Sequence, residues 1–302
     1  MKLSKQKVLL IGDFMVDYYQ YGSSNRLSPE APIPVVNLEK EVIVPGGAGN
    51  VAMNLRSLGL DVTCLGFVGD DYWGNKLISI LNENQICAKN IEQITGHLTT
   101  LKQRVYCDSK QQSRVDQESY LQDWEPKNKL DFNEFDFIIL SDYNKGIFHK
   151  EWFSLGEKTN VVLDPKNINT HILNSSSIIT PNIYELSKIS DEVIDSEDTL
   201  VKASQKLLSN FNLNYILVTR GEKGITLVGK NNFVEHIKPH FVKNPDVTGA
   251  GDTIVAVFSS IYFLTNDVKY AAFIANLAAS IVVNKKGTSV IQLEELKKFV
   301  KW

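Results

Sequence analysis

Short β-rich runs recur along the chain at 7–12, 62–68, 137–141, 160–164, 177–180 and 215–219, and helical patterns fill the gaps between them. Val51, Leu55 and Leu58 fall at helical spacing, as do Trp73, Leu77, Ile80 and Leu81, and later Ala203, Leu207 and Leu208. Parallel neighbours need a long crossover, so strands alternating with helices imply a mostly parallel central sheet covered on both faces. The expected class is therefore an α/β three-layer sandwich. Ligands of such sheets sit at the carboxyl ends of the strands.

Two segments break this rhythm. Residues 14–44 carry extended or alternating character at Tyr19, Tyr21, Ile33, Val35 and Val36, with Pro29, Pro32 and Pro34 opposing helix. Residues 98–115 alternate through Leu101, Gln103, Val105 and Cys107. Both read as strands leaving the main sheet to form a small β lid, inserted in two pieces into one domain spanning 1–302. An ordinary hairpin plus a loop would carry the same pattern.

With 302 residues, 43% hydrophobic and 22% charged, the chain can bury a large core. Its formal charge of -3 argues against nucleic-acid or anionic-membrane partners and favours a small molecule. The apolar run 8–11 is too short for a signal-peptide core, and the runs 253–264 and 270–283 fall short of the roughly 20 residues that cross a bilayer. They suit helices buried in a large protein, and the cytoplasm is the expected location. Cys64, Cys87 and Cys107 have no zinc or disulfide spacing. His236 and His240 are four apart, but Pro239 between them breaks any helical metal pair. The polar stretch 190–198 is a linker candidate.

Near the C-terminal end, Val247-Thr248-Gly249-Ala250-Gly251-Asp252 leads into an apolar helical run. Backbone N–H groups at a helix start bind anions, and Gly249 and Gly251 leave them uncovered. Asp252 is unexpected beside an anion unless it has a task, and the natural one is to take a proton from a hydroxyl attacking phosphorus. A plain helix start would also tolerate these residues. A second glycine cluster, Pro45-Gly46-Gly47-Ala48-Gly49-Asn50, lies where the lid returns to the sheet, and Asn50 can both donate and accept toward sugar hydroxyls.

Together the two clusters, with Gly59 and Gly69-Asp70, resemble the signatures of the ribokinase-like (pfkB) carbohydrate kinases; no GxxxxGK[ST] loop competes. Further stretches look like the heptose 7-phosphate kinases of that family: 8–17, 26–36, 101–105, 111–116, Ser141-Asp142-Tyr143-Asn144-Lys145-Gly146, Asp164-Pro165-Lys166 and 219–224. The resemblance covers nearly the whole chain. Gly49 stands where Ala is common in that group, and Val257 where the wider family has a small residue; neither touches the chemistry.

The resemblance implies a ribokinase-like fold and a division of labour. Asp252 would be the base that deprotonates the C1 hydroxyl for in-line attack on the γ-phosphorus of ATP. Gly249, Ala250 and Gly251 would form the anion hole. Asp17, Asp13, Gly47, Asn50 and Asp142 would face the sugar. Lys166, Asn182, Glu185, Thr219, Gly221 and Gly224 would hold the nucleotide, with Glu185 organising Mg²⁺ indirectly. Asp246 and Thr248 would bind a monovalent cation such as K⁺. The Asn182–Glu185 spacing equally fits a capping box at a helix start.

A substrate that already carries a phosphate needs cations remote from the transferred group, and the lid offers Arg26, Lys102, Arg104 and Arg114. Strand alternation puts Lys102 and Arg104 on one face, which a solvated lid surface would also permit. The implied activity is phosphorylation of the C1 hydroxyl of D-glycero-D-manno-heptose 7-phosphate to the 1,7-bisphosphate, toward the heptose of lipopolysaccharide, by a homodimer joined through its lids. In many relatives this kinase is fused to an adenylyltransferase, so a separate adenylyltransferase is expected here. A pfkB kinase for another sugar and a non-catalytic sugar-binding regulator remain the alternatives.

Overall fold

The computed structural model describes residues 6–108, 110–149, 160–167, 169–240 and 242–299. Its nine-stranded sheet starts from β1 (Lys7–Gly12), flanked on one side by β4 (Asp61–Gly69) and β5 (Cys87–Ile94). On the other side follow β8 (Phe137–Ser141), β9 (Val161–Asp164), β10 (Ile178–Ile179), β11 (Tyr215–Thr219), β12 (Ile225–Gly229) and β13 (Phe233–Ile237). Pairing is parallel except that β12 runs antiparallel to both its neighbours.

Alternation along the central strands sorts side chains into two cores. Val8, Leu10, Phe137 and Ile139 meet one face, which is covered by α1 (Ala48–Ser57), α2 (Tyr72–Glu83), α6 (Ala250–Thr265) and α7 (Val268–Val282). Leu9, Ile11, Ile138 and Leu140 meet the other, covered by α3 (Thr170–Asn174), α4 (Ile183–Ser190) and α5 (Glu197–Asn210). Each of these sheet residues is fully buried, worth about 1.5–3 kcal/mol apiece. The two long apolar runs are α6 and α7, and small Ala271, Ala272, Ala275 and Ala278 of α7 are fully buried in the same core as Val255 and Phe258 of α6. A short α8 (Leu293–Lys297) follows. No helix among the described residues is long and apolar enough to cross a membrane.

The smaller sheet has the order β3 (Asn37–Gly47), β2 (Phe14–Ser23), β6 (Thr100–Cys107), β7 (Lys110–Gln117). Only Asp13 separates β1 from β2, so the chain passes straight from the main sheet into the second one. β3 then returns directly into α1 through Gly47.

Three strands escaped the sequence patterns. β5 is an edge strand whose polar Lys89, Glu92 and Gln93 mask its apolar positions, and β12 and β13 form a hairpin of five-residue strands without a helix between them. The run at 177–180 pairs over only the two residues of β10. The polar stretch at 190–198 joins α4 to α5; it contributes the last residue of one and the first residues of the other.

Candidate active site

Five neighbouring strands of the main sheet deliver polar residues at their carboxyl ends. Asp13, Asp142 and Thr180 directly follow β1, β8 and β10, and β9 and β11 end at Asp164 and Thr219, which places them along one rim. A parallel sheet does this because every strand points the same way, so each strand-to-helix turn opens on the same side.

Above this rim, α6 begins at Gly249, whose φ of 75° lies in the left-handed region and whose helix has no side-chain cap. A Cβ at Gly249 would lie 2.5 Å from the amide nitrogen of Asn50, so glycine is required here for space as well as for conformation. Asp252, in the first turn of α6, is buried, and its Oδ2 accepts a hydrogen bond of 2.8 Å from Asn50 Nδ2. Asn50 is itself held on α1, where Asn54 Nδ2 donates to its backbone oxygen at 2.9 Å. The two glycine clusters, some two hundred residues apart in sequence, are thus in direct contact.

Burial drives the Asp252 carboxyl above its ordinary range; the hydrogen bonds from Tyr143 and Asn50 oppose that shift, as does the charge of Lys102. The Tyr143 hydroxyl donates to Asp252 Oδ1. Of the three amides expected to form an anion hole, that of Ala250 already donates to Val247 O at 3.2 Å. Gly251 opens on a cavity of about 130 Å³ that also meets Asp142, Tyr143, Asp164, Lys166, Asn182, Glu185 and Thr219.

Within that cavity Lys166 Nζ lies 3.0 Å from Glu185 Oε1. Asn182 and Glu185 also close a complete capping box at the start of α4: the Glu185 amide donates to Asn182 Oδ1 and the Asn182 amide to Glu185 Oε2, each at 2.9 Å. The helix-cap alternative is therefore realised, and it aims the remaining Glu185 oxygen at the lysine. Asp164, on the wall of the cavity, is pushed well above the usual carboxylate range by desolvation and by the charges of Glu185 and Asp252. Such an excess of carboxylates calls for a cation when a polyphosphate enters. Among the described residues no group of three or more His, Cys, Asp or Glu could hold a metal alone. The donor set fits Mg²⁺ held by one or two carboxylates with water and phosphate oxygens completing its shell.

Asp13 stands beneath the Asp142 loop. Its Oδ2 accepts the amides of Tyr143 at 2.8 Å and Lys145 at 3.1 Å, and burial followed by the charge of Asp142 raises its pKa to about 7. Asp142 accepts the amides of Asn144 at 2.7 Å and Lys166 at 3.3 Å, and burial raises its carboxyl as well. Gly221 and Gly224 flank the turn that follows Thr219.

On the second sheet Asp17 is buried rather than solvated. Its Oδ1 meets Arg104 Nη1 at 2.6 Å and its Oδ2 accepts from Thr288 Oγ1 at 2.7 Å. Arg104 and Lys102 share a face, as alternation requires, and Lys102 Nζ lies 5.3 Å from the centre of the Tyr143 ring. Burial lowers the Lys102 pKa against the pull of Asp17. Arg114 stands opposite Arg104 in the second sheet and is bound twice by Asp116 at 2.7 Å, and Arg26 is exposed. Gly47, at φ 55°, ends β3. Asp246 accepts the amides of Gly287 at 2.7 Å and Thr248 at 3.1 Å; burial would raise its carboxyl, but these bonds outweigh it and the pKa falls.

Sequence reasoning passed over Tyr143, Asp164, Thr288 and Asn54. The first two lay inside motifs already noted, where a strand-end position was the available signal. Thr288 and Asn54 carry no local pattern, because their partners lie across the fold.

A sheet covered on both faces, with a helix-start carboxylate over its carboxyl rim, defines a kinase-like α/β fold of the ribokinase type. The ribokinase of Thermotoga maritima superposes with a TM-score of 0.76 at 22% identity, covering 98% of this chain and 99% of that one. The Arabidopsis thaliana ribokinase complexed with ribose and ATP gives 0.75 at 18% identity, covering 98% and 99%. The chain belongs to the pfkB family of carbohydrate kinases, whose profile it matches over residues 5–295. It is 36% identical over 300 residues to the bifunctional protein HldE of Actinobacillus succinogenes, covering 96% of this chain and 63% of that protein. The chain thus spans just under two thirds of that relative's length. The expected separate adenylyltransferase finds no support in this comparison, since the relative is itself named bifunctional.

Proposed function

We propose that the chain is a Mg²⁺-dependent kinase that transfers the γ-phosphoryl group of ATP to the C1 hydroxyl of D-glycero-D-manno-heptose 7-phosphate, giving the 1,7-bisphosphate. The observation that carries this reading is the contact between Asn50 and Asp252, which sets a side-chain amide against a buried carboxylate at the start of an uncapped helix. The match to HldE over 96% of the chain supports the heptose substrate.

In this reading Asp252 takes the proton from the attacking hydroxyl, and burial, which raises its pKa, makes it a stronger base than a solvated carboxylate. The amides at the start of α6, with the dipole behind them, stabilise charge on the phosphoryl group in transit. Lys166 neutralises phosphate oxygens, and Glu185, with Asn182, would hold Mg²⁺, which when bound would offset the remaining charge. Asp17, Gly47 and Asn50 position the sugar hydroxyls, and Asp13 and Asp142 brace the loop beside them. Thr219, Gly221 and Gly224 seat the nucleotide. Lys102, with Arg104 behind Asp17, receives the remote phosphate. Asp246 and Thr248 would hold K⁺, residues 1–302 act as one kinase unit with the second sheet as lid, two lids pair in a homodimer, and the protein works in the cytoplasm.

Asp252→Asn is expected to lower kcat by roughly 10²-fold or more. ADP release measured with heptose 7-phosphate, ribose, fructose and fructose 6-phosphate decides between this substrate and another sugar. A protein whose measured function survives Asp252→Asn would instead be a non-catalytic sugar binder.

A further inference from the structure

Neither oxygen of the Asp252 carboxylate is open. Oδ2 holds Asn50 Nδ2 and Oδ1 holds the Tyr143 hydroxyl. The two donors differ in how firmly they are placed. Asn50 is buried in a helix and braced by Asn54, whereas Tyr143 is only half-buried, on the loop after β8. Its amide is fixed by Asp13, but its ring reaches into the cavity lined by Gly251 and lies under Lys102 of the second sheet. A base needs one oxygen facing the group it deprotonates, within hydrogen-bond reach. Tyr143 occupies that place.

We propose that Tyr143 caps the base: its hydroxyl holds Oδ1 of Asp252 while the cleft is empty and yields that oxygen to the acceptor hydroxyl of the sugar. The proposal rests on the kinase reading of Asp252. It assigns Tyr143 a task that phosphoryl transfer requires, which is to keep water from using the same base. In the unwanted reaction Asp252 takes a proton from water, the water oxygen bonds to the γ-phosphorus, and the bond to the bridging oxygen breaks. That electron pair leaves on ADP, and inorganic phosphate is released. A phenol is suited to the cap. Burial, with the nearby charge of Asp252, holds its pKa well above the ordinary tyrosine value, so it stays a donor and cannot replace the base. Lys102, over the same ring, ties the cap to the lid: an anionic acceptor drawn toward Lys102 arrives beside the phenol it must displace.

The test is Tyr143→Phe, which keeps the ring and removes the donor. Three quantities are measured: phosphate release from Mg²⁺-ATP without sugar, transfer to heptose 7-phosphate, and the pH profile of transfer. Sugar-independent hydrolysis is expected to rise about fivefold relative to transfer, the worth of one hydrogen bond. The acidic limb should move to higher pH by roughly half a unit, because a donor to the carboxylate is lost. An unchanged ratio of hydrolysis to transfer, with the acidic limb in place, would overturn the cap and leave Tyr143 a packing residue. Asp252→Asn is assayed alongside. If it silences both reactions while the Tyr143→Phe ratio is unchanged, only the cap fails; if it retains transfer, the base assignment fails and the cap with it.

Discussion

Replacing Gly249 by Ala tests the contact on which the site is built. The residue sits at φ 75°, where a side chain costs about 1–2 kcal/mol. The added Cβ would also lie 2.5 Å from Nδ2 at the end of the buried Asn50 side chain, and 3.7 Å from Asp252 Oδ2, which is ordinary contact. Asn50 must therefore move and Asp252 stay. The displaced amide gives up a 2.8 Å hydrogen bond to a buried carboxylate, worth about 1.5–3 kcal/mol. Together the two effects predict a loss of roughly 2.5–5 kcal/mol.

The two contributions separate in a double-mutant cycle. In an Asn50→Ala background the clash has no partner and the hydrogen bond is already gone, so Gly249→Ala should cost only the backbone part, about 1–2 kcal/mol. Urea unfolding of the wild type, both single variants and the double variant gives the coupling, expected at about 1.5–3 kcal/mol. Additivity within about 0.5 kcal/mol would refute the reasoning, because the two residues would then not be touching in the folded protein.

Two further outcomes follow from buried charge and from the cap of α4. Asp13 has a folded-state pKa of about 7 against an ordinary 3.8, so between those values the folded protein keeps a proton that the unfolded chain has lost. Stability then declines as pH rises from about 4 through 7. Asp13→Asn, which keeps an acceptor for the Tyr143 and Lys145 amides, should become increasingly more stable than wild type across that window and equal to it near pH 4; parallel unfolding curves would contradict this. At Glu185, substitution by Gln preserves an acceptor for the Asn182 amide while removing the charge that faces Lys166. Glu185→Gln should keep the wild-type unfolding midpoint and raise KM for Mg²⁺-ATP severalfold, whereas Glu185→Ala should also lose about 1 kcal/mol with the capping box. Equal stability losses in the two variants would mean that the cap is not what Glu185 supports.

What could be read from the chain and what could not divides along the reach of each interaction. The strand–helix alternation and the two glycine clusters are legible because backbone geometry demands particular residues locally, and Gly249 is the clearest case. The spacing of Asn182 and Glu185 was ambiguous because one carboxylate has two oxygens: Oε2 closes the capping box and Oε1 meets Lys166, so the structural and the functional readings hold together. Alternation correctly put Lys102 and Arg104 on one face but could not choose their partners. Asp17 stands in register with Lys102, yet it is Arg104, two residues on, whose longer planar head reaches the carboxylate at 2.6 Å. Lys102, in register with Asp17 on one side and Asp116 on the other, has its ammonium over the Tyr143 ring. The residues that govern the base, Tyr143 from the β8 loop and Asn54 behind Asn50, take their meaning from contacts more than a hundred residues distant or from a neighbour's neighbour. Such contacts depend on how sheets and helices close over one another, which no short window of sequence contains. The fold thus supplies the second half of the site: the motifs bring the groups that touch the ligands, and packing decides which oxygen each of them leaves open.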